Sequence, residues 1–289
     1  MYDLLSFEVA NITLGFHIDG NAERVDLSAI DRRFLSDQPA DCCFSVYFGL
    51  SGERFPEATI FETHQPWRIA RGADGLVVQV DAYRGRPAVR GAFAPDFASG
   101  SIYYPTMDAS ADHLPSPLKW PLGRVLMTSR LSRGFGVMVH AAGIRVGKRG
   151  LLFAGTDGIG KSTMARLWSS QGAGVTIGDD HIAIRKHRGR LRFWMYSTPW
   201  QGGEFTVDAV PIDGIFVLHQ GTENQLQPLK PVEATANVLA RSFPPFWLAE
   251  GMQFTVDLLS ELCTAVPVYD LTFKPDPDVV EFVECAINR

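Results

Sequence analysis

Cysteine is scarce and poorly spaced for structural chemistry. The four cysteines are Cys42, Cys43, Cys263 and Cys285. They form no CxxC pair, which excludes a zinc ribbon and a disulfide framework and fits a reducing, cytoplasmic setting. Cationic excess is lacking too. There are 27 Lys and Arg against 32 Asp and Glu, a formal net charge of -5, so no global field would hold a polyanion by counterion release and nucleic acid is not an expected partner. No apolar run approaches the roughly 20 residues that span a bilayer. The opening Met1-Tyr-Asp-Leu-Leu-Ser-Phe-Glu8 also lacks the basic region of a targeting segment. A soluble chain with no membrane partner is expected. No repeat with a period of about 20 to 50 residues and no low-complexity tract occurs, which excludes solenoids and linker-like architectures. Function must therefore sit in local motifs.

What is present is ordinary globular material: 46% of the 289 residues are hydrophobic and 11% aromatic, enough for a sizeable core in one or two domains. Residues 1–106 carry short apolar stretches, such as 45–50 and 75–80, between turn signals at Asp19-Gly20, Ser51-Gly52 and Ala73-Asp74-Gly75. This predicts a β-rich N-terminal domain over 1–110. Pro115, Pro117 and Pro121 then punctuate the chain before helical apolar spacing at 122–131, which places a domain boundary near 105–120 and a second domain over 120–289. In that second domain 136–140, 151–154, 175–177 and 214–218 read as strands, and 182–185 and 191–195 as a hairpin around Lys186-His-Arg-Gly-Arg190. Residues 161–170, 232–242, 246–262 and 278–287 read as helices, the first closed by Gly172. The fold class is α/β, in a mixed α+β arrangement.

The strongest local signal is Gly155-Thr156-Asp157-Gly158-Ile159-Gly160-Lys161-Ser162, which matches the phosphate-loop pattern G-x-x-x-x-G-K-[ST]. The strand Leu151-Leu-Phe-Ala154 precedes it and a helix follows, as the pattern requires. The glycines let backbone N–H groups turn toward phosphate oxygens, and the helix start adds positive potential. Lys161 would reach the β and γ phosphates of ATP, Ser162 would offer a small hydroxyl to Mg²⁺, and Thr163 would complete the nucleotide-binding stretch.

Downstream, strand 175–177 runs into Gly178-Asp179-Asp180, two carboxylates about one helix away from the loop. Successive side chains on a strand point opposite ways, so one carboxylate can hold Mg²⁺ while the other accepts a hydroxyl proton. Without the loop, such a pair would more often be a solvated turn. His140 follows the apolar residues 135–139 and ends that strand before Ala141-Ala142-Gly143. Alone it is more often a packing residue than an acid or base.

The order His140-Ala-Ala-Gly143, phosphate loop, helix, strand, Gly178-Asp-Asp180 resembles HPr kinase/phosphorylase and its relatives, a superfamily that includes ATP-dependent phosphoenolpyruvate carboxykinase. The resemblance covers residues 135–270 and implies a C-terminal P-loop kinase core of the HPr kinase type. It implies that Lys161 and Ser162 handle phosphate and metal, that Asp179 is the base, that Asp180 contacts the metal, and that His140 assists proton traffic beside the base. Ser197-Thr-Pro-Trp-Gln-Gly-Gly-Glu204 resembles a Pro-Trp/Phe-x-Gly-Glu segment of HPr-kinase-like proteins, which would set Glu204 near the metal; a solvated Glu204 beside a packed Trp200 is the competing reading. Arg241 reads either as a phosphate clamp or as a solvated helix charge. Residues 1–120 do not resemble the N-terminal domain of the HPr enzyme, and its glycine-rich segment after the catalytic region is missing.

The expectation is thus an ATP- and Mg²⁺-dependent kinase whose partner is a hydroxyl-bearing acceptor, a protein, peptide or small molecule, with room for a homo-oligomer. Two other readings stand beside it: a nucleotide-responsive regulatory protein without transfer, and a carboxykinase-like phosphotransferase.

Overall fold

Apolar side chains in the N-terminal part recur at every second position. In Cys42–Phe48, for example, Cys42, Phe44, Val46 and Phe48 are buried while Cys43 is exposed. A period of two turns one face of each strand to a core. The computed structural model describes residues 2–49, 58–64, 66–108, 111–187 and 192–287. The Ser51-Gly52 turn signal and residues 188–191 of the expected hairpin lie outside the described residues.

The chain divides into two compact units, Met1–Arg133 with Pro245–Ala249, and Gly134–Pro244 with Glu250–Arg289. The first contains strands β1 (Tyr2–Val9), β2 (Ile12–Asp19), β3 (Val25–Asp26), β4 (Cys42–Phe48), β5 (Thr59–Glu62), β6 (Trp67–Arg71), β7 (Leu76–Val80), β8 (Val89–Phe93), β9 (Ser99–Tyr104) and β10 (Leu114–Pro115). Its helices are α1 (Ala29–Arg32) and α2 (Leu122–Leu131). Eight of these strands make one mixed sheet in the order β1-β2-β4-β9-β8-β7-β6-β5, and β3 pairs with β10. The division falls at Arg133/Gly134 rather than at 105–120, so the helix over 122–131 belongs to the first unit. Spacing alone does not say which core a buried helix face will join.

The second unit contains β11 (Val137–Val146), β12 (Arg149–Ala154), α3 (Lys161–Ser170), β13 (Val175–Gly178), β14 (His181–Lys186), β15 (Phe193–Tyr196), β16 (Ala209–Gln220), β17 (Gln225–Pro228), α4 (Pro231–Leu239), α5 (Ala249–Ala265), β18 (Val268–Phe273) and α6 (Asp278–Ile287). The long strands β11 and β16 each pair with three others. The first part of β11 pairs with β14 and the rest with β12 and β13. Likewise β16 pairs first with β15 and then with β12 and β18. Strands β12, β16 and β18 run parallel, so their C-terminal ends share one edge, where ligands bind in open α/β sheets.

These parallel strands are buried on both faces. Leu152, Ala154, Ile215 and Val217 join one apolar cluster with residues of α4 and α5, while Leu151, Phe153, Phe216 and Leu218 join another with Met164, Ala165 and Trp168 of α3 and Val279, Val280 and Val283 of α6. Strands covered on both sides read as continuous apolar runs.

One expectation is corrected. Residue 140 does not end its strand: β11 continues through Ala141, Ala142 and Gly143 to Val146. The small residues are there for packing, since a Cβ on Gly143 would lie 3.0 Å from the side chains of both Ile177 and Ile182. Among the described residues, no helix is long and apolar enough to cross a membrane.

Candidate functional site

The phosphate-loop sequence fills the connection between β12 and α3. Gly155 N–H donates to the carbonyl of His140 at 3.1 Å, which ties the start of the loop to β11. Gly158 and Gly160 have φ of 75° and 113°, left-handed values that disfavour residues with a Cβ. Gln220, the last residue of β16, donates its amide Nε2 to the carbonyls of Gly158 and Ile159 at 3.1 and 3.3 Å, so two loop carbonyls are turned back into the fold.

Helix α3 starts at Lys161 with no side-chain cap on Gly160 and no acidic residue in its first turn. Its first N–H groups therefore lack a side-chain partner, which is the condition for an anion site at a helix start. Lys161 is buried, and its Nζ donates to the carbonyl of Thr156 at 2.9 Å. Burial lowers the pKa of this amine, while the charges of Asp157, Asp180 and Asp179 pull it back up. Phosphate oxygens would relieve that burial penalty.

Asp179 and Asp180 lie in the bend between β13 and β14, and their carboxylates go to different partners. Asp179 is buried, and its Oδ1 accepts the N–H groups of Gly202 and Gly203, both at 3.1 Å. Asp180 Oδ1 lies 2.9 Å from His140 Nε2, and its Oδ2 lies 3.1 Å from His181 Nδ1. Burial by itself would raise the pKa of Asp180. The close contacts of His140 and His181, with their charges, outweigh it and hold this carboxyl well below the usual range.

Residues that sequence reasoning did not single out hold this pair in place. Gln201 Oε1 accepts the backbone N–H of Asp179 at 2.8 Å and of Asp180 at 3.2 Å. Its Nε2 donates to the carbonyl of His181 at 2.6 Å and to both oxygens of Thr198 at 3.0 Å. His181 sits opposite His140 in the β11–β14 register, and its ring stacks on Phe243 with centroids 4.4 Å apart and planes at 9°. The Gln-Gly-Gly spelling at 201–203 was the available signal, because adjacent glycines often mark a close backbone approach.

The other expected residues separate. His140 Nε2 also lies 3.4 Å from Oδ1 of Asp157 in the loop, so it sits between the loop and Asp180. Ser162 is exposed in the first turn of α3, and Thr163 Oγ1 accepts from Arg166 at 3.3 Å. Glu204 is exposed, and it is the neighbouring Gln201, Gly202 and Gly203 that meet the Asp pair. Arg241, just past the end of α4, turns back on that helix, donating Nη1 to the carbonyl and Oδ1 of Asn237 at 2.9 and 3.0 Å. Among the described residues, no group of three or more His, Cys, Asp and Glu side chains is arranged to hold a metal ion. A Ser hydroxyl and one carboxylate nonetheless suit Mg²⁺, a hard cation that keeps several waters and takes substrate phosphates as ligands.

Neither a family model nor a curated protein matches the chain. Among solved structures it is similar to the HPr(Ser) kinase/phosphatase from Coxiella burnetii, with 12% identity, a TM-score of 0.32, and coverage of 52% of this chain and 88% of that one.

Proposed function

We propose that this protein is an ATP- and Mg²⁺-dependent kinase that transfers the γ-phosphoryl group to a serine-like hydroxyl of a protein, peptide or small molecule. The observation that carries this reading is the pairing of an uncapped helix start, led by buried Lys161, with a carboxylate pair, one buried and one half-buried, whose members have different partners. Binding a nucleotide needs the first feature. Transfer to a hydroxyl needs a second carboxylate that does not serve the metal.

In this reading the backbone of residues 155–160 cradles the phosphates and Lys161 neutralises their charge. Ser162 and Asp180 would hold Mg²⁺, which supplies charge neutralisation on the phosphates. Asp179 accepts the proton of the attacking hydroxyl. His140 and His181 hold Asp180 ionised and oriented, as outer partners of metal-binding carboxylates do. Most of the rate comes from positioning and electrostatics, because phosphoryl transfer asks little covalent work of the protein. The resemblance of the three ordered motifs to HPr kinase/phosphorylase supports the same assignment. Calorimetric titration with ATP, with and without Mg²⁺, beside ADP release in the presence of serine-bearing peptides and small alcohols, tests it. Absence of Mg²⁺-dependent ATP binding would refute the proposal.

A further inference from the structure

The two carboxylate oxygens of Asp179 have unequal surroundings. Oδ1 is held by two backbone N–H groups, those of Gly202 and Gly203. Oδ2 faces the bare Cα of Gly203, where an added Cβ would lie 2.7 Å from it; the equivalent atom on Gly202 would be 3.7 Å from Oδ1, an ordinary contact. Neither glycine has a left-handed φ, so any residue could adopt the backbone there. What Gly203 supplies is space beside one particular oxygen.

We infer that the Gly202-Gly203 turn positions Asp179 and admits the acceptor: its N–H groups lock Oδ1, Oδ2 takes the proton, and the side chain missing from Gly203 is the opening through which the acceptor hydroxyl arrives. The inference rests on the kinase reading and adds the direction of approach. As the hydroxyl oxygen bonds to the γ-phosphorus, its proton passes to Oδ2. The bond from that phosphorus to the β,γ-bridging oxygen breaks, and its electron pair leaves with ADP. Gln201 supports the geometry from behind, because its amide accepts the backbone N–H groups of both aspartates and anchors on Thr198 and the His181 carbonyl. A lone buried carboxylate would rotate; this one is held at one oxygen and free at the other.

The test compares Gly203→Ala with Gly202→Ala, both of which keep the N–H groups. Mg·ATP affinity, read by calorimetry, should stay within about twofold of the parent in both, since the loop and Lys161 are unchanged. ADP release, with water or a serine peptide as acceptor, should fall on the order of 10²-fold in Gly203→Ala, and about tenfold less than that in Gly202→Ala. Equal losses in the two variants, or full turnover in Gly203→Ala, would overturn the inference. A readout independent of turnover is amide hydrogen exchange by NMR: Asp179→Ala should speed exchange at both glycines, and unchanged exchange would also overturn it. A parent protein that binds Mg·ATP yet releases no ADP with any acceptor would sink the kinase reading, while the exchange result would still judge the turn.

Discussion

Nε2 of His140 lies 2.9 Å from Oδ1 of Asp180, and the contact exists because β11 and β14 set His140 opposite His181, the residue that follows the aspartates. Two imidazoles thus grip one half-buried carboxylate, one on each oxygen. The grip opposes burial, which alone would raise the Asp180 pKa.

The first prediction follows from the sign of that shift. A carboxyl whose folded pKa is depressed contributes stability that is complete above its unfolded value, ordinarily 3.8, and lost as pH falls through the folded value. His140→Ala leaves burial less opposed, so the folded Asp180 pKa rises toward its unfolded value; the variant is less stable than the parent near neutral pH and loses less on acidification. Melting temperatures in steps from about pH 7 to about pH 3 should show the variant lower at neutral pH with a shallower acid limb, the two curves converging as pH falls. Superimposable limbs would contradict the grip.

Lys161 carries the opposite expectation for the free protein. Its amine is buried and its pKa depressed, so folding without ligand works against its charge. Lys161→Met should leave the melting temperature of the free protein unchanged or raised. The same variant should lose Mg·ATP binding by roughly 2–5 kcal/mol, the cost of stripping a buried anion of its partner. A variant that melts early and still binds Mg·ATP normally would reverse the assignment.

Gly160 is constrained twice, by a φ of 113° and by the Phe273 ring, whose Cζ would lie 2.7 Å from an added Cβ. Gly160→Ala should therefore cost about 1–3 kcal/mol of stability from backbone strain alone, and should distort the N–H groups facing the phosphates. Chemical denaturation and ATP titration check the two effects separately. A fully stable variant would mean that the loop has another low-energy shape.

The local parts of the site were legible in the sequence because they are local. The loop pattern with its flanking strand and helix, helix Lys161–Ser170 closed at Gly172, and the Asp pair at a strand end all lie within short windows where glycine, periodicity and strand alternation speak directly. Long-range partners were not legible. Gln201 reaches back over 20 residues to Asp179 and Asp180, and Phe243 meets His181 from a segment after α4. Nothing in either neighbourhood announces a partner so far away. Ala141-Ala142-Gly143 looked like a break because small residues lower strand propensity. They sit inside β11 because both faces there are packed against Ile177, Ile182 and Met195 on one side and the α3 core on the other. The eight-stranded order of the first unit, with its crossovers, also left no trace in periodicity.

The last prediction separates the two aspartates. Asp179→Asn keeps an oxygen to accept from Gly202 and Gly203, so the turn should survive, but the second position becomes an amide that takes no proton. Transfer should fall by a factor of roughly 10² to 10⁴, or roughly 3–5 kcal/mol of barrier, with Mg·ATP affinity little changed. Asp180→Asn removes a charge that would already act on the metal in the bound ground state. It should therefore weaken the Mg²⁺-dependent part of ATP binding, and it should also loosen His140 and His181, which now face a neutral amide. The two substitutions thus differ in kind: one appears in turnover alone, the other first in affinity. Calorimetry of ATP binding with and without Mg²⁺, set beside ADP release for both variants, decides the matter. Full turnover in Asp179→Asn would overturn the kinase assignment, because the proton acceptor would have been removed. Reversed effects would exchange the two roles and leave the chemistry intact.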